Sequence, residues 1–405
     1  MKTKQTFSLL AIAILVVVYC TLQISAQNTK PLTRLPVVAP EQVGMDAKIL
    51  TQIDAEVQKA LTAKNMPGCV VCIGRHEKIA YLKAFGNKQV ATEMESAQEM
   101  TTNTVFDLAS LTKPLATATS IMVLVDQGNL SVDDKVSQYF DEFQTPEKQN
   151  ITVRQLMTHT AGFMPDNHIS DYQDGTTKAA ERLLALKPTT KPGTDFTYSD
   201  VSFELLGLLV EKISGKNVAD FALENIYQPL GMTETMYVPN DELSQRAAPT
   251  QKRELGKVHD PRAFLMNGIA GHAGLFSTAE DMAVYAAMML NKGCLPENLG
   301  QLPRILKAET VTQMTERNRV PGGYRGLGWD MRTGFSSNRG QSMSPAAYGH
   351  GGFTGTSMWI DPGNDLFVIF LSNRVHPDGK GSVNTLAGRL GTIAVNAITD
   401  TPKEQ

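Results

Sequence analysis

Cysteine is scarce in this chain, with only Cys20, Cys69, Cys72 and Cys294 among 405 residues. Once Cys20 is removed with the N-terminal segment described below, three remain, an odd number, so at least one thiol has no partner within the chain. The pair in "GCVVCIG", with His76 nearby, faintly resembles a redox or metal site. The run is rich in Val and Ile, however, and reads as a strand in which positions 69 and 72 point to opposite faces. Core cysteines are the expectation. Basic runs are also missing: 38 Lys and Arg face 41 acidic residues, for a net charge of -3, which excludes a nucleic-acid-binding surface as the main function. Long apolar runs are confined to the N-terminus, so no later segment is expected to span a membrane. There is no internal repeat and no low-complexity stretch. Several catalytic signatures are absent as well. "HEKIA" at 76–80 lacks the second histidine of H-E-x-x-H, no G-x-S-x-G elbow occurs, and "GGYRGLG" is not followed by the Lys-Ser/Thr of a phosphate loop.

What remains is the composition of an ordinary globular protein, 42% hydrophobic and 20% charged. The first residues combine Lys2 and Lys4, an apolar run from Leu9 to Val18, and the small pair Ser25 and Ala26. That is the layout of a secretory signal peptide, with cleavage expected after Ala26 and a periplasmic or secreted product with a net charge of -5 and no stable membrane span. Tyr19 fits poorly before a lipidated Cys20. Residues 27–405 read as one catalytic unit of two lobes. A helix over "MDAKILTQIDAEVQKALTAKN" precedes a hairpin, "GCVVCIG" and "KIAYLKAFG" around "RHEK". Helices dominate roughly 130–240, the stretch 240–345 mixes loops with one helix at 279–290, strands return at "TSMWIDP" and "LFVIFLSN", and a helix closes the chain. The order predicts an α+β fold: an antiparallel sheet built from both termini, flanked by helices, with a mostly helical inserted lobe.

The chemistry gathers around "LASLTKPLATATS", residues 108–120, which read as the opening of a helix buried along most of its length. A serine hydroxyl is a weak nucleophile until a base takes its proton, and Lys113, three residues after Ser110, shares its helical face. Pro114 is tolerated near a helix start, and the helix N-terminus favours negative charge. Desolvation of the lysine would lower its pKa towards that of a base. "YSD" sets Tyr198, Ser199 and Asp200 in a turn before an amphipathic helix, where a phenol near an ammonium can relay protons. "AYGHGGFTG" places His350, Gly351 and Gly352 at a strand edge, where an exposed amide can complete an oxyanion hole.

Three motifs in this order, S-L-T-K, Y-S-D and H-G-G, resemble those of the serine beta-lactamase and penicillin-binding-protein family, on its class C beta-lactamase, DD-peptidase and family VIII esterase branch. "GNLSVDDKV", "LMTHTAG" and "GLFSTAEDMA" match further landmarks, so the resemblance spans roughly 40–395. It implies an acyl-enzyme on Ser110, proton transfer by Lys113 and Tyr198, an oxyanion hole of the Ser110 and Phe353 amides, and substrate contacts at Asp200, His350, Gly351 and Gly352. No cofactor and no metal are implied. Two positions depart from the family pattern. Asp200 replaces the usual Asn and is expected to pair with Lys113, which shifts the base role towards Tyr198. His350 replaces the usual Lys and attracts a carboxylate less strongly. His259, Asp260 and His272 lie in a segment similar to one in muropeptide amidases, and read as a loop buttressing the cleft rather than a metal site. The expected activity is hydrolysis of an amide or ester of a small peptide-like molecule, such as a muropeptide. A promiscuous carboxylesterase and a penicillin-binding sensor that is acylated without turnover are the alternatives.

Overall fold

The central strands of the sheet come from opposite ends of the chain. In the computed structural model, which describes residues 34–91, 96–251, 254–295 and 304–400, β1 (Gly68–Arg75) pairs antiparallel with β12 (Leu366–Ser372) from Cys69 opposite Ser372 to Arg75 opposite Leu366. Both strands are apolar runs buried on both faces. The expected signal peptide at 1–26 lies outside the described residues.

β1 turns into β2 (Lys78–Gln89) through His76 and Glu77, both at positive φ (51° and 60°), the geometry that a tight two-residue hairpin demands. β3 (Gln98–Glu99) sits outside β2, while β11 (Thr356–Asp361) and β10 (Tyr348–Gly352) continue the sheet beyond β12. β9 (Asp330–Arg332), β8 (Gly323–Arg325) and β7 (Asn318–Val320) complete nine strands in the order β3-β2-β1-β12-β11-β10-β9-β8-β7. A second sheet joins β4 (Phe106–Asp107), β6 (Leu275–Ser277) and β5 (Met236–Tyr237) in the order β4-β6-β5.

Alternation along β1 and β12 supplies two cores. Cys69, Val71, Ile73, Val368 and Phe370 pack with Ile53 and Val57 of α1 (Gln52–Thr62), and with Leu390 and Ala394 of the last helix, Asn384–Asn396. Val70, Cys72, Phe367, Ile369 and Leu371 face the larger core. That core contains the helix Thr119–Asp126 (α2), the helix Asp200–Ser214 (α3) and the helix Ala279–Leu290 (α4), with Asn384–Asn396 now α5. The two thiols of β1 are fully buried on opposite faces, as core cysteines, and burial pushes both pKa values up. The antiparallel sheet from both termini and its flanking helices match the expected α+β class. Among the described residues, no helix is long and apolar enough to cross a membrane.

Two local readings need correction. The expected continuous helix over 108–120 is a 3₁₀ turn at Ala109–Leu111, a π turn at Lys113–Ala118, and only then α2. The Thr119 hydroxyl donates to the Pro114 carbonyl at 2.8 Å across this wider turn. Within 240–345, the stretch read as loops around one helix, lie β6 to β9, each of three residues. Strands this short carry no readable alternation.

Candidate active site

Ser110 stands at the centre of a short turn built under strain. Ala109 has φ 47°, a left-handed conformation that an alanine rarely adopts, and its amide donates to Asp107 Oδ1 at 2.8 Å. The other oxygen of Asp107 accepts from the His259 amide at 2.6 Å. Burial raises the Asp107 carboxyl to about 6, and these two amides oppose that rise. The hairpin joining β10 and β11 is bound to the same turn: Thr354 Oγ1 donates to the Asp107 carbonyl at 2.7 Å and Thr356 Oγ1 to the Leu108 carbonyl at 3.0 Å. Gly352 makes this approach possible, since a Cβ there would stand 2.3 Å from the Leu108 oxygen.

Lys113 has no solvent exposure, and its Nζ donates to Ser110 Oγ at 3.0 Å and to the His272 carbonyl at 3.1 Å. Its third partner is Asp200 Oδ1, at 2.7 Å. Burial favours the neutral amine, but Asp200 and Tyr198 outweigh it and the Lys113 pKa is raised. The expected pairing of Asp200 with Lys113 is therefore present, and the lowering of the lysine pKa expected from desolvation is reversed. Asp200 owes its position to α3: Ser199 caps that helix by accepting from the Ser202 amide at 3.1 Å, and Asp200 is its first residue.

Tyr198 lies beside Ser110 and Lys113, with Lys113 Nζ 5.0 Å from its ring centroid. Its ring is held between His159, 4.6 Å away, and Phe335, 4.9 Å away and stacked at 28°. Burial raises the phenol pKa; Lys113 pulls it down and Asp200 pushes it up, with a net rise. His159 accepts from the Ser199 amide through Nδ1 at 3.0 Å, which leaves that imidazole neutral, and burial lowers its pKa well below the usual histidine value.

Ser110, Tyr198, His350, Gly351, Gly352 and Phe353 line one cavity of about 380 Å³. His350 Nδ1 lies 2.7 Å from the Gly351 carbonyl, so Nδ1 carries the proton and Nε2 offers a lone pair. Burial, and after it the charges of Arg325 and Lys113, push the His350 pKa well below its usual value. Phe353, 62% exposed, follows β10 at the mouth, stacked against the His259 ring at 5.6 Å.

The three residues read as a buttress do not act together. His259 belongs with Phe353 and Asp107, whereas Asp260 and His272 form a cluster behind Lys113. His272 Nε2 lies 3.0 Å from Asp260 Oδ1, and His272 Nδ1 lies 3.3 Å from Glu204 Oε1. Burial works against a charged imidazole, but Asp260, Glu204 and Asp200 raise its pKa to about 9. Donor atoms of Asp200, Asp260 and His272 lie within 4.8 Å of one another, close enough to share a metal ion. The protonated His272 and Lys113 already supply the positive charge those carboxylates need. Sequence reasoning missed Glu204, whose two oxygens also lie 2.7 Å from the Tyr172 hydroxyl. Its signal was the i, i+4 spacing from Asp200 on one helix face. Asp107, three residues before Ser110, and Arg325, which lines the cavity, were missed too.

An antiparallel sheet with flanking helices, and a Ser-Lys-Tyr constellation around a buried lysine in the turns before α2, beside β10, define a class of hydrolases. The family described as Beta-lactamase matches residues 53–392, and the chain belongs to that family. A protein of Escherichia coli O157:H7 named "Putative D-alanyl-D-alanine carboxypeptidase" is 31% identical over 376 residues, covering 84% of this chain and 85% of its own. A Bacillus subtilis (strain 168) protein named N-acetylmuramyl-L-alanine amidase is 31% identical over 415 residues, covering 93% of this chain and 92% of its own. Among solved structures, a penicillin-binding protein homologue from Caulobacter crescentus shares the fold, with a TM-score of 0.69 at 19% identity over 87% of this chain and 99% of its own.

Proposed function

We propose that this hydrolase cleaves an amide or ester of a small peptide-like molecule derived from the cell wall, through an acyl-enzyme on Ser110. One observation carries the reading: Ser110 Oγ accepts at 3.0 Å from a lysine that lies 5.0 Å from the Tyr198 ring centroid and whose charge is held by Asp200. With Lys113 kept as an ammonium, the base is the phenolate form of Tyr198, stabilised by that ammonium. The Ser110 proton passes to the Tyr198 oxygen as Ser110 Oγ attacks the substrate carbonyl carbon. The amides of Ser110 and Phe353 take the resulting oxyanion. Tyr198 then returns the proton to the leaving nitrogen or oxygen, the acyl group stays on Ser110, and a water activated by the same phenolate releases it.

Neutral His350 and anionic Asp200 stand where the family pattern has Lys and Asn, which argues against efficient beta-lactam hydrolysis. The names of the two relatives support a peptidoglycan fragment as substrate. Export through cleavage after Ala26 fits such a substrate. The test is a turnover screen over muropeptides, D-amino-acid dipeptides, short p-nitrophenyl esters and nitrocefin, run beside Ser110→Ala. Muropeptide or dipeptide turnover that disappears in the variant is the expected result. Ester turnover alone would make the protein a carboxylesterase, and a stable adduct without turnover would make it a sensor.

A further inference from the structure

Asp107 does not line the cavity that holds Ser110, yet three segments that shape that cavity meet on it. The residue is buried, and both carboxylate oxygens are taken by backbone amides from different parts of the chain. Oδ1 accepts from the Ala109 amide at 2.8 Å, and Oδ2 from the His259 amide at 2.6 Å. The Asp107 carbonyl accepts from Thr354 Oγ1 at 2.7 Å. Each partner stands one step from a group that the proposed reaction needs. Ala109 precedes Ser110 and holds φ 47°, a conformation that persists only where its surroundings over-determine it. Thr354 follows Phe353, and the His259 ring stacks on the Phe353 ring at 5.6 Å. The amides of Ser110 and Phe353, the two oxyanion donors, thus come from segments far apart in the chain that are tied to a single side chain and its own carbonyl.

We propose that Asp107 is a positioning residue for the oxyanion hole, fixing the Ser110 amide through Ala109 and the Phe353 amide through His259 and Thr354, and that it does so only as a carboxylate. The inference rests on the reading of those two amides as the oxyanion donors. An ionised carboxyl accepts at both oxygens, whereas a protonated carboxyl or a carboxamide presents a donor at one end. One of the two amides would then face a donor, and because a buried N–H without an acceptor is costly, its segment moves away. Burial raises the Asp107 carboxyl to about 6, Asp260 adds to the rise, and the two amides oppose it. The other elements around it bring little charge. β6 sets Phe276 opposite Asp107, the β10–β11 hairpin brings Thr354, the His259 imidazole is turned to the Phe353 ring, and Arg374 lies over that same ring at 4.6 Å.

The rate at which a fluorophosphonate labels Ser110, followed by intact mass and located by peptide mapping, tests this without a known substrate. At pH 8, Asp107→Asn is expected to slow labelling about 10²-fold, the scale of losing one oxyanion donor. The ratio of parent to variant rates removes the Lys113–Tyr198 titration, which both proteins share. That ratio is expected to shrink about ten-fold between pH 8 and pH 5, as a carboxyl with a pKa of about 6 loses its charge in the parent alone. Asp107→Ser, whose hydroxyl can accept from only one of the two amides, is expected to behave in the same way, and it decides the matter if the Asn variant fails to fold. Equal labelling rates for parent and variant at pH 8, or a ratio unchanged between pH 8 and pH 5, would overturn the proposal. An adduct on a residue other than Ser110 would overturn the nucleophile assignment as well, whereas a Ser110 adduct formed at a rate indifferent to Asp107 leaves that assignment intact.

Discussion

Lys113 keeps its proton because a carboxylate stands 2.7 Å from its fully buried ammonium. The lysine and tyrosine are therefore coupled in their titration, and in the proposed mechanism the form ready to attack is the one that has lost a proton from that pair. Both pKa values are raised, so kcat/KM is expected to climb into the alkaline range. Asp200 raises both, so Asp200→Asn lowers both and moves the rising limb of the pH profile to lower pH; a limb that stays in place would contradict the assignment. Tyr198→Phe is expected to lower kcat about 10²–10⁴-fold with a smaller change in KM, measured on whichever substrate the screen yields. Behind the site, His272 makes a separate prediction about stability. Its folded pKa of about 9 lies above the ordinary 6.5. Its contribution is thus complete below about pH 6.5 and is lost as the pH rises through about 9. Thermal unfolding should show Tm falling across that window, and His272→Gln should flatten the fall. Local patterns in the sequence pointed to Ser110, Lys113, Tyr198 and the glycines after His350, and the family resemblance to Asp200 and the Phe353 amide, because each lies in a short local motif. Arg325 and Glu204 were not legible as site residues, since what brings them to the pocket or its rear wall is the pairing of β8 and the docking of α3.

At the scale of the element, the nucleophile turn and the β10–β11 hairpin act as one piece. Thr354 and Thr356 reach across to the carbonyls of Asp107 and Leu108, and the absence of a side chain at Gly352 lets the strand come that close. Gly352→Ala would put a Cβ 2.3 Å from the Leu108 oxygen and 2.2 Å from Thr356 Oγ1. The hairpin must then shift away from Ser110, carrying the Phe353 amide with it. The expected outcome is a fall of about 10²-fold or more in kcat, the scale of losing one oxyanion donor, with a folded protein by circular dichroism. Unchanged kcat would show that this edge does not shape the reaction. The helix expected over 108–120 was right in place and burial but wrong in winding. Periodicity reports which face is buried, and a wider turn around Pro114 changes the winding without changing that pattern.

Across the whole molecule, the α+β class could be read from the order of elements because β1, β2, β11 and β12 are long enough to show their character. The short strands β7, β8 and β9 at one end of the sheet could not, because three residues beside glycines carry no period; only pairing with neighbouring strands fixes them. The sheet is covered on one face by α1 and α5, from the two ends of the chain, and the fold depends on their meeting there. Leu390→Ala, at a position of α5 with no exposure, is expected to cost about 2–5 kcal/mol and lower Tm, without altering the pH profile of the residual activity. In the proposed mechanism this architecture serves to set the Ser110 hydroxyl beside the Tyr198 phenol, and the most direct test of that proposal is covalent. Intact-mass and peptide-mapping analysis after treatment with a fluorophosphonate should find a single adduct on Ser110, formed much more slowly in Tyr198→Phe. An adduct on another residue, or a Ser110→Ala protein that still turns over substrate at the parent rate, would contradict the account.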